Sequence, residues 1–88
     1  MGRFEVIFKQ SVAKDLRPIP KKEVARILKR IDALKVTPRP PGVEKLSGQE
    51  LYRIRQGVYR ILYEIKNDEL IIIVVKICRF ELIYVIYN

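Results

Sequence analysis

Three arginines around a predicted turn are the side chains whose type and spacing point to chemistry in this sequence. Arg53 and Arg55 alternate along one run, and Arg60 lies in the next run, after Gly57. Alternate residues of a strand share a face, and a glycine in a two-residue loop is typical of a β-hairpin. We therefore expect the three guanidinium groups on one side of a sheet, called here the arginine face. Cations gathered in this way repel one another, so the face favours an anion, and a nucleic-acid phosphate backbone is the obvious one.

The opposite face of the same hairpin is apolar. With the loop predicted at residues 56–57, Arg53 would lie opposite Arg60 on the neighbouring strand. The other face would carry six apolar or aromatic side chains, namely Tyr52, Ile54, Tyr59, Ile61, Tyr63 and Ile65. This face requires a core to cover it, so Tyr59 and Tyr63 are predicted as core residues rather than as stacking platforms for a base.

The position of a fourth arginine depends on the register of the next strand. Residues 70–78 are almost entirely apolar, which is typical of a central strand, and residues 67–68 before them predict a tight turn. Pairing across this turn puts Arg60 opposite Val75 and brings Arg79 to the arginine face. One extra loop residue or a β-bulge would instead turn Arg79 toward the helices.

Two helices are predicted between an N-terminal strand and the hairpin. Residues 4–8 alternate in a way that is typical of a strand with one apolar face. Residues 11–16 predict a short amphipathic helix that ends before Pro18, and apolar side chains recur at steps of three and four over residues 24–34. The outer face of this second helix is basic, with Lys21, Lys22, Arg26, Lys29 and Arg30.

The remaining segments complete an α+β pattern. Residues 37–42 contain three prolines and cannot continue a helix, and residues 43–50 are predicted as a loop or a bridging turn. Residues 80–88 favour a strand because they are β-branched and aromatic, with a short C-terminal helix as the alternative. We therefore predict one domain over residues 1–88, in which an N-terminal strand and a three-stranded antiparallel meander form a four-stranded sheet with both helices on one face.

Composition limits the classes of function. Lys and Arg number 18 against 10 acidic residues, and the resulting charge of +8 suits a nucleic acid, an anionic membrane or an acidic protein. The chain has no histidine and a single cysteine, which removes Cys/His zinc sites, Ser-His-Asp triads and an internal disulfide. No apolar run approaches the roughly 20 residues that span a bilayer. We expect a cytoplasmic, soluble protein that uses no metal or cofactor and does not bind a membrane.

Several fragments of the chain resemble the RelE/ParE toxin superfamily. They are KLSG at residues 45–48, YRIR at residues 52–55, GVYRILYEI at residues 57–65 and an arginine after the last strand of the meander. The resemblance covers nearly the full length and is strongest to RelE proteins of archaea and bacteria. It implies a RelE-like fold and a ribosome-dependent mRNA endonuclease that is encoded beside a neutralising antitoxin.

The resemblance also implies roles for individual arginines. Arg53 and Arg55 stand where RelE proteins have basic residues, often lysines, that act in base chemistry and phosphate stabilisation. Arg60 matches the family arginine that binds the scissile phosphate. Arg79 matches the basic residue that binds phosphate or protonates the leaving oxygen. The family places a histidine before that residue in many members, and this chain has Cys78 there.

The implied reaction also needs an aromatic residue near the C-terminus. Tyr84 matches the tyrosine that stacks on a base, with Tyr87 as the alternative. The 2′-OH of one nucleotide would attack its own 3′ phosphate, leaving a cyclic phosphate and a free 5′-OH. Guanidinium groups stay protonated to beyond about pH 12 and are poor general bases, so the implied mechanism depends on electrostatic stabilisation.

The implied partners are a RelB-like antitoxin, the ribosome and mRNA. Contact with DNA is expected only through the complex with the antitoxin. Two other functions remain open for the same fold. One is a ParE-like toxin that inhibits DNA gyrase by binding and has no need of phosphate-clamping arginines. The other is a weakly active remnant that only binds partners.

Overall fold

Five strands and two helices make up the computed structural model, which describes residues 3–46 and 50–79. In chain order they are β1 (Glu5–Phe8), α1 (Ser11–Leu16), α2 (Lys21–Ala33), β2 (Glu44–Lys45), β3 (Leu51–Gln56), β4 (Tyr59–Lys66) and β5 (Ile71–Arg79). No helix in these two ranges is long and apolar enough to cross a membrane. The predicted C-terminal strand or helix, with Tyr84 and Tyr87, lies outside the described residues.

All five strands form one sheet, in the order β1-β5-β4-β3-β2. The pairs β2–β3, β3–β4 and β4–β5 are antiparallel, and β1 pairs with β5 in parallel. The predicted α+β class, with an N-terminal strand, two helices and a meander, is confirmed. The sheet has a fifth strand because Glu44 and Lys45, predicted as loop or turn, pair with β3. A two-residue strand leaves no periodic signal in the sequence, so only its pairing identifies it.

The core lies between the two helices and one face of the sheet. Its buried members are Val12, Ile27, Ile31, Leu34, Tyr52, Ile54, Tyr59, Ile61, Tyr63, Ile65, Ile72, Val74 and Ile77. All six residues predicted for the apolar face of the hairpin are among them. The alternation of β3 and β4 is therefore sufficient to assign their faces, because the arginines of both strands lie on one side only.

Prolines separate the two helices. α1 ends at Leu16, and Pro18 follows two residues later. Pro20 is the N-cap of α2, with φ of −55° and an extended ψ of 141°. A proline at a helix start loses nothing by lacking an N–H, because the first amides of a helix have no partner within it. The predicted helix starts and stops in this part of the chain are therefore local properties of the sequence.

The hairpin between β3 and β4 turns one residue later than predicted. Its loop is Gly57 and Val58, and Gly57 has φ of 62° whereas Val58 does not have positive φ. Positive φ at the first loop position alone is the pattern of a type II′ turn, which requires glycine there. As a result Arg55, not Arg53, lies directly opposite Arg60. The register changes by an even number of residues, so every side chain keeps its predicted face.

The turn between β4 and β5 spans four residues, 67–70, rather than the predicted two. Leu70 closes it with φ of 55°, an uncommon conformation for a residue with a side chain. Its N–H donates to the Asn67 carbonyl at 3.3 Å, and its carbonyl accepts from the Glu5 amide at 2.9 Å. The longer turn adds two residues and does not by itself exchange the faces of β5.

A β-bulge in the β4–β5 pair does exchange them. Tyr63 pairs with Val74 but Leu62 pairs with Lys76, so Val75 is an extra residue in β5. Beyond this point the alternation is reversed, and Arg79 lies opposite Tyr59, which belongs to the core on the helix side. The prediction that Arg79 shares the arginine face is therefore wrong, for the reason that parity arguments fail across a bulge.

Candidate functional site

Arg53, Arg55 and Arg60 lie together on the sheet face opposite to the helices. Arg55 is paired with Arg60, and Arg53 is two residues away along β3 on the same side. A smaller apolar cluster occupies this side of the sheet, with Leu62 and Cys78 buried and Leu46 partly buried. Three of the four predicted arginines are thus brought together, above an apolar floor.

Arg53 is held in place by a carboxylate from the edge strand. Glu44 is the cross-strand partner of Arg53, and its Oε1 lies 3.0 Å from Nε and 2.9 Å from Nη2 of the guanidinium. Charge-assisted hydrogen bonds of this kind orient a planar guanidinium. The Glu44 side chain is 62 % exposed, so solvent screens the pair and its contribution to stability is small. Sequence reasoning missed Glu44 because its segment was predicted as a loop or turn.

Arg55 and Arg60 are positioned by backbone carbonyls near the hairpin end. Arg55 Nε donates to the Gly57 carbonyl at 3.2 Å, and Arg60 Nη1 donates to the Tyr59 carbonyl at 3.3 Å. Arg55 is exposed, whereas Arg60 is half-buried. Directly opposed residues of a ladder have Cβ atoms about 4.5–5.5 Å apart, so one phosphate can contact both long side chains. Like charges directly opposite in a ladder repel each other, and an anion bound between them would reduce this repulsion.

Cys78 forms part of the floor of the arginine face. It is paired with Arg60 and is 7 % exposed. A buried thiol among apolar side chains behaves as a small hydrophobic residue. Cys78 therefore contributes packing to this side of the sheet, beside Leu62.

Arg79 borders a different cavity, on the helix side of the sheet. The cavity has a volume of about 510 Å³ and is lined by the end of α1, residues 18–20, Tyr59 and the end of β5. Arg79 is the last residue of β5. Arg79 therefore lies on the opposite side of the sheet from the other three arginines, although all four are close to the same end of β4.

A buried carboxylate secures the edge of β5 that leads to Arg79. β1 ends at Phe8, opposite Val74, so no other strand within residues 3–46 and 50–79 pairs with the following part of β5 on that side. Asp15 of α1 replaces the strand, because its Oδ2 accepts from the Ile77 amide at 3.1 Å and its Oδ1 from Lys76 Nζ at 2.7 Å. Nothing in the sequence marks Asp15, since its partners lie more than 60 residues away.

The tyrosines of the core anchor the proline-rich connection. The Tyr63 hydroxyl donates to the Pro38 carbonyl at 2.7 Å, and its ring stacks on Tyr52 with 5.8 Å between centroids. The Arg39 guanidinium lies 5.1 Å from the centre of the Tyr52 ring. Burial raises the pKa of the Tyr63 phenol well above its ordinary value. These tyrosines are structural, as predicted for Tyr63.

These observations define a class of protein, namely one with a two-layer α+β fold in which one face of the sheet is cationic. The family model for the ParE toxin of type II toxin-antitoxin systems, parDE, matches residues 6–79. The chain is also 35 % identical to the protein RelE1 of Methanocaldococcus jannaschii in an alignment 83 residues long, which covers 90 % of this chain and 92 % of that protein. The chain therefore belongs to the RelE/ParE superfamily of toxins.

Solved structures of relatives show the same fold. The archaeal RelE-RelB complex of Pyrococcus horikoshii matches with a TM-score of 0.79 and 31 % identity, over 88 % of this chain and 94 % of the matched chain. The RelB-RelE antitoxin-toxin complex of Methanococcus jannaschii matches with a TM-score of 0.71 and 26 % identity, over 93 % and 99 % of the two chains. The RelE-like fold predicted from the sequence is confirmed.

Proposed function

We propose that this toxin is a ribosome-dependent mRNA endonuclease. The observation that carries the proposal is the convergence of Arg53, Arg55 and Arg60 on one sheet face, with Arg55 directly opposite Arg60. The positive charge of such a face suits the negative charge of a phosphodiester backbone. In a preorganised site, hydrogen-bond donors aimed at a developing charge stabilise the transition state by an amount on the order of several kcal/mol.

The proposed reaction is a transfer within the RNA strand. The 2′ oxygen forms a bond to the adjacent phosphorus, and the bond from phosphorus to the 5′ oxygen of the next nucleotide breaks. A proton leaves the 2′-OH and another reaches the 5′ oxygen, giving a 2′,3′-cyclic phosphate and a free 5′-OH. Arg55 and Arg60 neutralise the additional negative charge on the pentacovalent phosphorane.

The 2′-OH proton requires an acceptor that an arginine cannot supply. Guanidinium is protonated to beyond about pH 12, whereas a carboxylate accepts a proton readily. Glu44, in contact with Arg53, is the candidate for this role on the described part of the arginine face. Arg79 is proposed to contact the phosphate or protonate the leaving oxygen from the end of β5. Tyr84 is proposed to stack on a neighbouring base, an interaction worth about 1–3 kcal/mol.

A RelB-like antitoxin is the proposed neutralising partner. The relatives of known structure from P. horikoshii and M. jannaschii are complexes of RelE with RelB. The charge of +8 on this chain suits an acidic partner of that kind. The other proposed partners are the ribosome and mRNA, with DNA contacted only through the antitoxin.

Substitution of Arg60 tests the proposal. Arg60→Ala should abolish growth inhibition and the ribosome-dependent cleavage of mRNA seen by primer extension after induced expression. Arg17→Ala is the matched control, because Arg17 is an exposed arginine at the end of α1 and its removal changes the net charge equally. In the same assay Glu44→Gln should slow cleavage. Undiminished cleavage by a folded Arg60→Ala protein would exclude the assigned site.

A ParE-like gyrase inhibitor is the second candidate, and the description of the matching family model favours it. A toxin that inhibits gyrase by binding does not require arginines that contact a phosphate, so this function does not explain the arginine face. Induced expression distinguishes the two. Gyrase-linked DNA damage with intact mRNA would establish the second function, and cleaved mRNA without DNA damage the first.

A further inference from the structure

A second cationic site lies on the helix side of the sheet, at the end of β3. A cavity of about 300 Å³, called here the α2 cleft, is lined by Arg26, Lys29, Arg30, Ala33 and Gln56. The four helical positions are spaced i, i+3, i+4 and i+7, so they share one face of α2. Gln56 follows Ile54 by two residues on β3 and therefore points to the same side as the core.

The charges of the α2 cleft are only partly neutralised. Arg26 Nη1 lies 3.3 Å from both carboxylate oxygens of Glu23. Lys29 and Arg30 form no ion pair within residues 3–46 and 50–79. Asp32, the nearest acid along the helix, is paired with Lys35 at 2.9 Å, and this hydrogen bond lowers the pKa of Asp32. Two cations of the cleft therefore remain available to an external anion.

Helix stabilisation does not explain these cations. Arg30 is in the last turn of α2, where a positive charge complements the helix dipole. This effect falls off within one turn and accounts for one cation, whereas Arg26 and Lys29 lie on the same face nearer to the centre of the helix. Their convergence on a concave surface, beside the amide of Gln56, is what requires an explanation.

We propose that the α2 cleft binds a backbone phosphate of ribosomal RNA and so docks the toxin while mRNA lies on the arginine face. The inference rests on the proposed function and adds a contact to it. The volume is at the lower limit of small-ligand sites, and guanidinium, ammonium and amide groups all donate to phosphate oxygens.

The lining of the cleft favours RNA over an acidic peptide. A bound peptide helix needs apolar pockets for its anchor residues, and Ala33 is the one apolar side chain of this lining. A phosphate needs only donors and positive charge. The cleft and the arginine face also lie on opposite sides of the same hairpin end, because Gln56 is adjacent to Arg55. An RNA-filled site can therefore contact both surfaces together.

Charge reversal at Lys29 tests the inference against a matched control. Lys29→Glu and Lys22→Glu change the same residue type on the same helix, at exposed positions seven residues apart and thus on nearly the same face. Binding to purified ribosomes is measured by sedimentation across a salt series. Losing one phosphate contact should weaken binding about tenfold near 0.1 M salt and reduce the salt slope by about one. Lys22→Glu should change affinity by less than about threefold.

The outcomes separate this inference from the proposed function. Equal losses in Lys29→Glu and Lys22→Glu would assign the effect to net charge and overturn the site, as would wild-type affinity in Lys29→Glu. Competition by polyglutamate as strong as that by polyuridylate at equal charge would assign the cleft to acidic peptides and overturn it. A wild-type protein that neither binds nor cleaves on ribosomes would end both proposals. A wild-type protein that cleaves, with an unaffected Lys29→Glu variant, would end this one alone.

Discussion

At the scale of single residues, the proposed function and the stability of the core depend on opposite sides of the same two strands. The side chains of β3 and β4 that face the helices are buried, and those on the other side include three arginines. Arg55 lies directly opposite Arg60, and like charges in these positions of a ladder repel each other. Clustered cations in an otherwise well-packed domain are therefore an indication of binding to an anion.

Tyr63 is the residue for which burial and hydrogen bonding make the sharpest stability prediction. Tyr63→Phe removes the hydrogen bond to the Pro38 carbonyl and should destabilise the protein by about 1–2 kcal/mol, measured by chemical denaturation. Tyr59→Phe is the matched control, because the Tyr59 hydroxyl has no hydrogen-bond partner within residues 3–46 and 50–79. Equal losses in the two variants would contradict the role of the Pro38 bond.

The raised pKa of Tyr63 adds a pH dependence to this prediction. The unfolded state loses the phenol proton near pH 10, about the ordinary tyrosine value, while the folded state keeps it. Stability from this group is therefore complete below about pH 10 and is lost as pH rises further. The difference in stability between wild type and Tyr63→Phe should shrink above that pH, and a constant difference would count against the assignment.

At the scale of elements, the contact between α1 and β5 determines where the strand that ends in Arg79 lies. Asp15 supplies the acceptor that a neighbouring strand would otherwise provide for the Ile77 amide. It also pairs with Lys76, and the Asp15 side chain is only 9 % exposed. A short helix thereby closes part of an open sheet edge, which protects it from pairing with another chain.

Two substitutions of Asp15 separate its hydrogen bond from its charge. Asp15→Ala removes the acceptor of the buried Ile77 amide and the carboxylate that contacts Lys76, and should destabilise the protein by about 2–3 kcal/mol. Asp15→Asn keeps an acceptor for the Ile77 amide and should lose about half as much. Thermal denaturation measures both. Asp32→Ala, which removes a solvent-exposed ion pair, should leave the melting temperature unchanged.

At the scale of the whole molecule, two cationic surfaces lie on different sides of the sheet. The arginine face is on one side of the sheet, and the α2 cleft is on the other. A polyanion that binds the folded state alone stabilises it by mass action. The proposed binding to RNA, if it depends on the charge of +8, should weaken strongly as ionic strength rises.

Thermal stability should report this affinity directly. Polyuridylate should raise the melting temperature by roughly several degrees at low ionic strength. The increase should vanish near 1 M salt, where the Debye length is about 3 Å. Differential scanning fluorimetry measures the shift. Polyglutamate of equal charge is the control. An increase that persists at high salt would show that apolar contacts, rather than phosphate pairing, hold the RNA.

The sequence by itself determined which residues of the hairpin form the core, where the helices begin and end, and that three arginines share a face. These features depend on strand alternation, helical periodicity and the backbone limits of proline and glycine, all of which act within a few residues. The resemblance to RelE followed from the same segment. The register of the hairpin differs from the predicted one by two residues, and a shift by an even number of residues leaves each side chain on its predicted face.

Only the tertiary structure decided the side on which Arg79 lies, the pairing of Glu44 with Arg53, and the α2 cleft. The bulge at Val75 reversed the alternation of β5, and no local pattern marks where a strand must admit an extra residue to match its neighbours. The Glu44 contact depends on a two-residue strand at the sheet edge. The cleft exists because α2 and the end of β3, distant in the chain, are packed on the same core, and side-chain proximity between distant segments is a property of packing alone.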